Sequence, residues 1–200
     1  MSPVLYVHGK GGSAAEAEHF RPLFPGCDVA GLDYQTDTPW ETGEEIRAAV
    51  EGLTEEHRQI VLIANSIGAY FCMHAGIGER VRKAYFISPI VDMEKLIRDR
   101  MTSAGVSMKQ LEEQRVIRTG SGEDLSWEYL CWVRAHPIRW PVPTGILYGG
   151  RDQLTSYDTI AAFAREHGAL LTVMEHGGHW FHTEEQMRFL DEWIRRSGKE

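Results

Sequence analysis

Gln59-Ile60-Val61-Leu62-Ile63-Ala64-Asn65-Ser66-Ile67-Gly68 runs from the most apolar segment of the chain straight into a turn of small residues with a serine at its tip. Ile67, Tyr70, Phe71 and His74 then recur at helical spacing. The reading is a strand, a sharp turn and a helix. A hydroxyl at such a tip projects from the carboxyl edge of a sheet, and the first N–H groups of the next helix point towards it. That places Ser66 as a nucleophile, although an ordinary strand-to-helix turn has the same local pattern.

Upstream, residues 3–8 read as a short buried strand that ends in the turn Gly9-Lys10-Gly11-Gly12, and Ser13 opens a helix to about Phe24. Cys27 to Tyr34 is a second strand with Asp33 near its end. Trp40 to Leu53 is an amphipathic helix, since Ile46, Ala49, Val50 and Leu53 share one face. Downstream, Lys83 to Ser88 is a fourth strand closed by Pro89. Strand and helix therefore alternate, which calls for a parallel α/β sheet with right-handed crossovers.

The alternation breaks over residues 90–141, where no strand is evident and short helical patterns follow one another. Met93, Leu96, Ile97 and Met101 form one face, Ser107 to Gln110 reads as a capping box, and Ser126 caps a further helix through Arg134. Gly105, Gly120 and Gly122 separate them. An insertion at the carboxyl side of a strand reads as a short helical cap within a single domain of residues 1–200. After Pro141 and Pro143 the alternation resumes. Thr144 to Tyr148 is a fifth strand, Gly149-Gly150-Arg151-Asp152 a turn, and Ser156 to His167 a helix stopped by Gly168. Ala169 to Glu175 is a sixth strand, His176 to Phe181 a loop, and Thr183 to Gln186 a capping box for a last helix that buries Met187, Leu190 and Ile194.

A net charge of -8, with 21 basic against 29 acidic residues spread along the chain, argues against nucleic acid or an anionic membrane as the main partner. The 42% apolar and 25% charged content is that of a soluble globular protein. Cys27, Cys72 and Cys131 lie far apart without metal-ligand spacing, so neither a disulfide framework nor a zinc site is implied, and a reducing cytoplasm is the expected location. The first residues carry no basic region and read as lacking a secretory signal. No apolar run approaches the roughly 18 residues that span a bilayer. Nothing in the chain fixes an oligomeric state.

The polar turns fall at strand ends, where open parallel sheets collect their functional groups. His8-Gly9-Lys10-Gly11-Gly12-Ser13, Ala64-Asn65-Ser66-Ile67-Gly68, Tyr148-Gly149-Gly150-Arg151-Asp152 and Gly177-Gly178-His179-Trp180-Phe181 together resemble the α/β-hydrolase family over nearly the whole chain outside the insertion. The order serine, acid, histidine is that of this family. Two departures stand out: Ala64 replaces the first glycine of the elbow, and the chain starts on the strand before His8, without the two strands that usually lead the family's sheet. The resemblance implies a three-layer α/β/α fold with a trimmed, mostly parallel six-stranded sheet in the order 2-1-3-4-5-6.

It also implies roles. Ser66 would attack an acyl carbonyl, His179 would carry the proton, Asp152 would orient the imidazole, and the N–H groups of Lys10 and Ile67 would bind the oxyanion, with no cofactor. His176 and His182 rival His179, but His176 belongs to the strand end and His182 to the helix cap. Asp92, after the fourth strand, and Asp158, inside a helix, rival Asp152; His8 shapes its turn. The expected reaction is hydrolysis of a short to medium acyl ester through an acyl-enzyme. Amide cleavage or acyl transfer would use the same residues, and a non-catalytic binding role on the same fold is a third reading. Gly9 to Ala14 also fits Gly-x-Gly-x-x-Ala, with Asp33 as a ribose acid, so a dinucleotide site is a reading of a different class. Met101, Met108, Trp127, Tyr129, Trp132 and Trp140 are candidates to line an acyl pocket, Met101, Trp127 and Trp132 foremost, although at helical spacing such residues also build cores.

Overall fold

The computed structural model describes residues 2–54, 59–120 and 124–198. Gly122, read above as a separator, lies outside the described residues. Contacts divide the chain into two units, Met1–Val91 with Arg139–Glu200, and Asp92–Ile138.

The larger unit contains β1 (Val4–Val7), a 3-10 helix (Ala14–Leu23), β2 (Val29–Leu32), α1 (Pro39–Thr54), β3 (Ile60–Asn65), α2 (Ile67–His74) and β4 (Val81–Ile87). The smaller holds α3 (Met93–Ser103), α4 (Met108–Gln114), β5 (Val116–Arg118), β6 (Asp124–Ser126) and α5 (Trp127–Ala135). The larger unit resumes with β7 (Thr144–Gly149), α6 (Tyr157–His167), β8 (Leu170–Met174) and α7 (Glu184–Ser197).

Its sheet has six strands in the order β2-β1-β3-β4-β7-β8, and neighbours pair in parallel. This is the sequence expectation, with β7 and β8 as the fifth and sixth strands. Side chains alternate across the sheet. Val4, Tyr6, Val61, Ile63, Tyr85, Ile87, Leu147 and Met174 point to one face, against Ala17 and Phe20 of the 3-10 helix and Leu190, Trp193 and Ile194 of α7. On the other face α1 and α2 pack on β3. Both faces are covered, so β1 is buried at every position and β3 at all but its last. β3 thus reads as a continuous apolar run.

The helix opened by Ser13 is present as a 3-10 helix, Ala14–Leu23. Two expectations are corrected. The insertion is not all helical: β5 and β6 pair antiparallel, Val116 opposite Ser126 and Arg118 opposite Asp124. Strands of three residues are too short to show alternation. In α7, Trp193 is buried with Leu190 and Ile194, while Met187 is only partly covered. The expected caps are present, since Ser107 and Thr183 form capping boxes and Ser126 accepts from Tyr129 N–H. Within the smaller unit Met93, Leu96, Ile97 and Met101 are buried as one face of α3.

Candidate active site

Ser66 follows β3 with φ 52° and ψ −120°, a left-handed conformation that an L residue adopts only when its surroundings impose it. The surroundings are two backbone clips. Its N–H donates to Ile87 O at 2.9 Å, and its carbonyl accepts Ile90 N–H at 3.1 Å. The end of β4 therefore holds the turn on both sides. Ala64 is fully buried between Val7 and Phe86, so its methyl is accommodated where a glycine is usual. Gly68 has no such latitude, because a Cβ there would stand 2.3 Å from His8 O and 2.9 Å from Val7 O. The absence of that side chain lets α2 start against the turn that leaves β1.

The Ser66 hydroxyl lies 2.7 Å from His179 Nε2, and His179 Nδ1 lies 2.7 Å from Asp152 Oδ2. With the Nδ1 proton donated to the carboxylate, Nε2 is left to accept from the serine. The Asp152 carboxylate is fully shielded, and its Oδ1 accepts Leu154 N–H at 2.7 Å and Thr155 N–H at 3.2 Å. The two loops that supply this pair are tied by Gly150 N–H to Met174 O and Arg151 N–H to Gly177 O, both 2.8 Å. A Cβ on Gly149 would lie 2.2 Å from Gly178 O, so the loops touch through bare backbone.

The rivals of these residues stand elsewhere. Asp92 caps α3 by accepting Lys95 N–H, and Asp158 is exposed in the first turn of α6. His176 is exposed beside the Arg151 guanidinium, and His182 donates from Nδ1 to Trp180 O at 2.9 Å. His8 is buried, stacks on Tyr34 at 4.2 Å and donates from Nδ1 to Gly9 O at 2.8 Å. Asp33, the ribose acid of the dinucleotide reading, accepts Ala14 N–H at 2.6 Å. Among the described residues no three His, Cys, Asp or Glu side chains are grouped to hold a metal ion.

Ile67 is the first residue of α2, where an N–H has no partner within the helix. Gly9 O also accepts Gly12 N–H at 3.1 Å. A trans peptide points its C=O and N–H in opposite directions, so the Lys10 N–H is turned away from those partners. Lys10 and Ser66 both line a cavity of about 380 Å³, with Gly9, Gly12, Glu16, Asn65, Leu154, His179 and Trp180 among the other lining residues. Glu16, Leu154 and Trp180 were not singled out from the sequence; only Trp180, an aromatic beside His179, carried a local signal. Met101, Trp127 and Trp132 are not among the lining residues. Met101 is buried in α3 of the smaller unit, and Trp132 stacks on His136 at 4.2 Å. Trp140 is core, packed on Phe86 at 5.6 Å with its indole N–H on Thr144.

Among known proteins, the family described as "Alpha/beta hydrolase family" matches residues 4–192. A Mycoplasma genitalium protein named "Putative esterase/lipase 3" is 36% identical over 76 residues, which is 36% of this chain and 27% of that protein. The chain therefore spans well under two thirds of that relative. Est1E from Butyrivibrio proteoclasticus has the same fold at 16% identity, with a TM-score of 0.74 over 99% of this chain and 87% of its own. Alpha/beta hydrolase domain-containing protein 10 from mouse superposes with a TM-score of 0.70 at 15% identity, over 98% and 89%. With the sheet order and the residues matched, the chain belongs to the alpha/beta hydrolase family.

Proposed function

We propose that this protein is a serine hydrolase that cleaves carboxylic esters of short to medium acyl chain through an acyl-enzyme. The observation that carries the reading is the continuous relay from Ser66 Oγ through His179 to Asp152, 2.7 Å at each link. Ser66 Oγ attacks the acyl carbonyl as His179 Nε2 takes its proton. The Asp152 carboxylate stabilises the imidazolium, and the N–H groups of Lys10 and Ile67 receive the oxyanion. Collapse of the tetrahedral species expels the alcohol, protonated by Nε2, and water repeats the sequence on the acyl-enzyme. No cofactor enters the scheme. The esterase names of the relatives support the ester as the scissile group, and a cavity of about 380 Å³ suits a small substrate.

A series of 4-nitrophenyl esters from acetate to dodecanoate tests the proposal. Turnover is expected to peak among the shorter chains and to fall by about 10³-fold or more in His179→Ala. Hydrolysis of none of the series, or turnover unchanged in His179→Ala, would contradict it.

A further inference from the structure

The turn that carries Lys10 N–H contains Gly9, Gly11 and Gly12, and backbone of that composition has little stiffness of its own. Its alignment with Ser66 depends on what holds its two ends. The near end lies on the nucleophile, since a Cβ on Gly9 would stand 3.0 Å from Ser66 Cβ and 3.3 Å from Asn65 O. The far end lies on Glu16. A Cβ on Gly12 would stand 2.7 Å from Glu16 Oε1 and 3.2 Å from Oε2, and Ser13 N–H donates to Oε1 at 3.3 Å.

Glu16 is itself fixed from the core, because its Oε2 accepts the Tyr6 hydroxyl. Tyr6 is buried in β1 opposite Ile63 of β3. Side chains two residues apart share a face of a sheet, so Asn65 lies on the face of Tyr6, one step nearer the strand ends. Asn65 and Glu16 both line the cavity beside Ser66. Burial first, and then the Glu16 carboxylate, push the Tyr6 phenol above its ordinary range, whereas a hydrogen bond with the Asn65 side chain acts the other way, as a donor to the phenol oxygen does. The phenol thus donates to Glu16 and accepts from Asn65. One hydroxyl joins the residue that precedes the nucleophile to the carboxylate that holds the far end of the Lys10 turn.

We propose that Tyr6 and Glu16 are positioning residues, which act through Asn65 and the Gly9–Gly12 turn to hold the Lys10 N–H at the oxyanion. This rests on the reading of Ser66 as the nucleophile with Lys10 N–H as an oxyanion donor. A carboxylate that served only to cap the 3-10 helix would need Ser13 N–H and not the tyrosine. Tyr6→Phe separates the two roles: the ring stays in the core and the cap on the helix, while the bridge is lost.

The test is steady-state kinetics on 4-nitrophenyl butyrate in Tyr6→Phe, Glu16→Ala, Glu16→Gln and the double variant Tyr6→Phe with Glu16→Ala, each scaled to the sites that a fluorophosphonate labels at Ser66. Inhibition by an alkyl trifluoromethyl ketone, whose adduct with the serine carries the oxyanion, is measured beside it. Tyr6→Phe and Glu16→Ala are each expected to lower kcat by about 10- to 100-fold with KM within about twofold, the scale of a misplacement near 1 Å. The inhibition constant of the ketone should rise with the loss of kcat. The double variant should lose no more than the larger single loss, because both residues act through one bridge. Glu16→Gln, whose amide oxygen accepts the Tyr6 hydroxyl, should recover most of what Glu16→Ala loses. A lowered Tm with kcat per labelled site unchanged, losses that multiply in the double variant, a change in KM alone, or a fall in kcat without weaker ketone inhibition would overturn the proposal while leaving Ser66 as the nucleophile. Absence of the label from Ser66 in wild type would instead remove the nucleophile reading, and this proposal with it.

Discussion

Asp152→Asn is expected to lower kcat on 4-nitrophenyl butyrate by about 10⁴ and to leave the melting temperature within a few degrees of wild type, a change of about 1 kcal/mol. The reason lies in how the carboxylate is used. Its Oδ1 must accept two backbone N–H groups, from Leu154 and Thr155, so the amide of an asparagine settles with its oxygen there. The amide nitrogen then faces His179 Nδ1, which has to become the acceptor. The imidazole proton moves to Nε2, and Nε2 no longer accepts from Ser66. The fold keeps its hydrogen bonds while the relay loses its direction. Circular dichroism and thermal melting establish the fold, and steady-state kinetics establish the loss. Retention of a tenth or more of wild-type turnover would place the acid elsewhere.

Gly68→Ala is expected to cost about 3 kcal/mol, a fall in Tm of about 10 °C, and to abolish most of the activity of the protein that remains folded. Its methyl would meet two backbone carbonyls, His8 O at 2.3 Å and Val7 O at 2.9 Å, which no rotamer change relieves. The start of α2 has to separate from the end of β1, and that separation moves Ile67 N–H away from Lys10 N–H. Gly52→Ala is the contrasting case. Gly52 sits within α1, and a methyl there would have nothing within 4 Å, so the substitution should stabilise by about 0.5 to 1 kcal/mol. Differential scanning calorimetry of both variants checks the pair. A Gly68→Ala protein with wild-type Tm and turnover would show that this contact does not position the site.

What was legible in the sequence follows from locality. Ser66, Asp152 and His179 each stand just after an apolar strand, and a parallel sheet brings strand ends to one edge, so three local readings sufficed to bring them together. The strand order came from the resemblance rather than from the strands, whose apolar runs say nothing of their neighbours. Less was legible where structure depends on distant partners. The β5–β6 hairpin offers three residues per strand, too few for a period-two pattern to stand out. Glu16 carried no local signal, because its bond to Tyr6 spans ten residues. The aromatic residues of the insertion show the converse: Trp140 has the composition of a pocket residue, but its burial against Phe86 and its bond to Thr144 make it core.

Ser66 as the nucleophile is tested most directly by covalent labelling of the intact protein with a fluorophosphonate, read by mass spectrometry in wild type and Ser66→Ala. One adduct per chain, on the peptide that contains Ser66, and none in Ser66→Ala is the predicted result. An adduct that persists in a folded Ser66→Ala protein would contradict it.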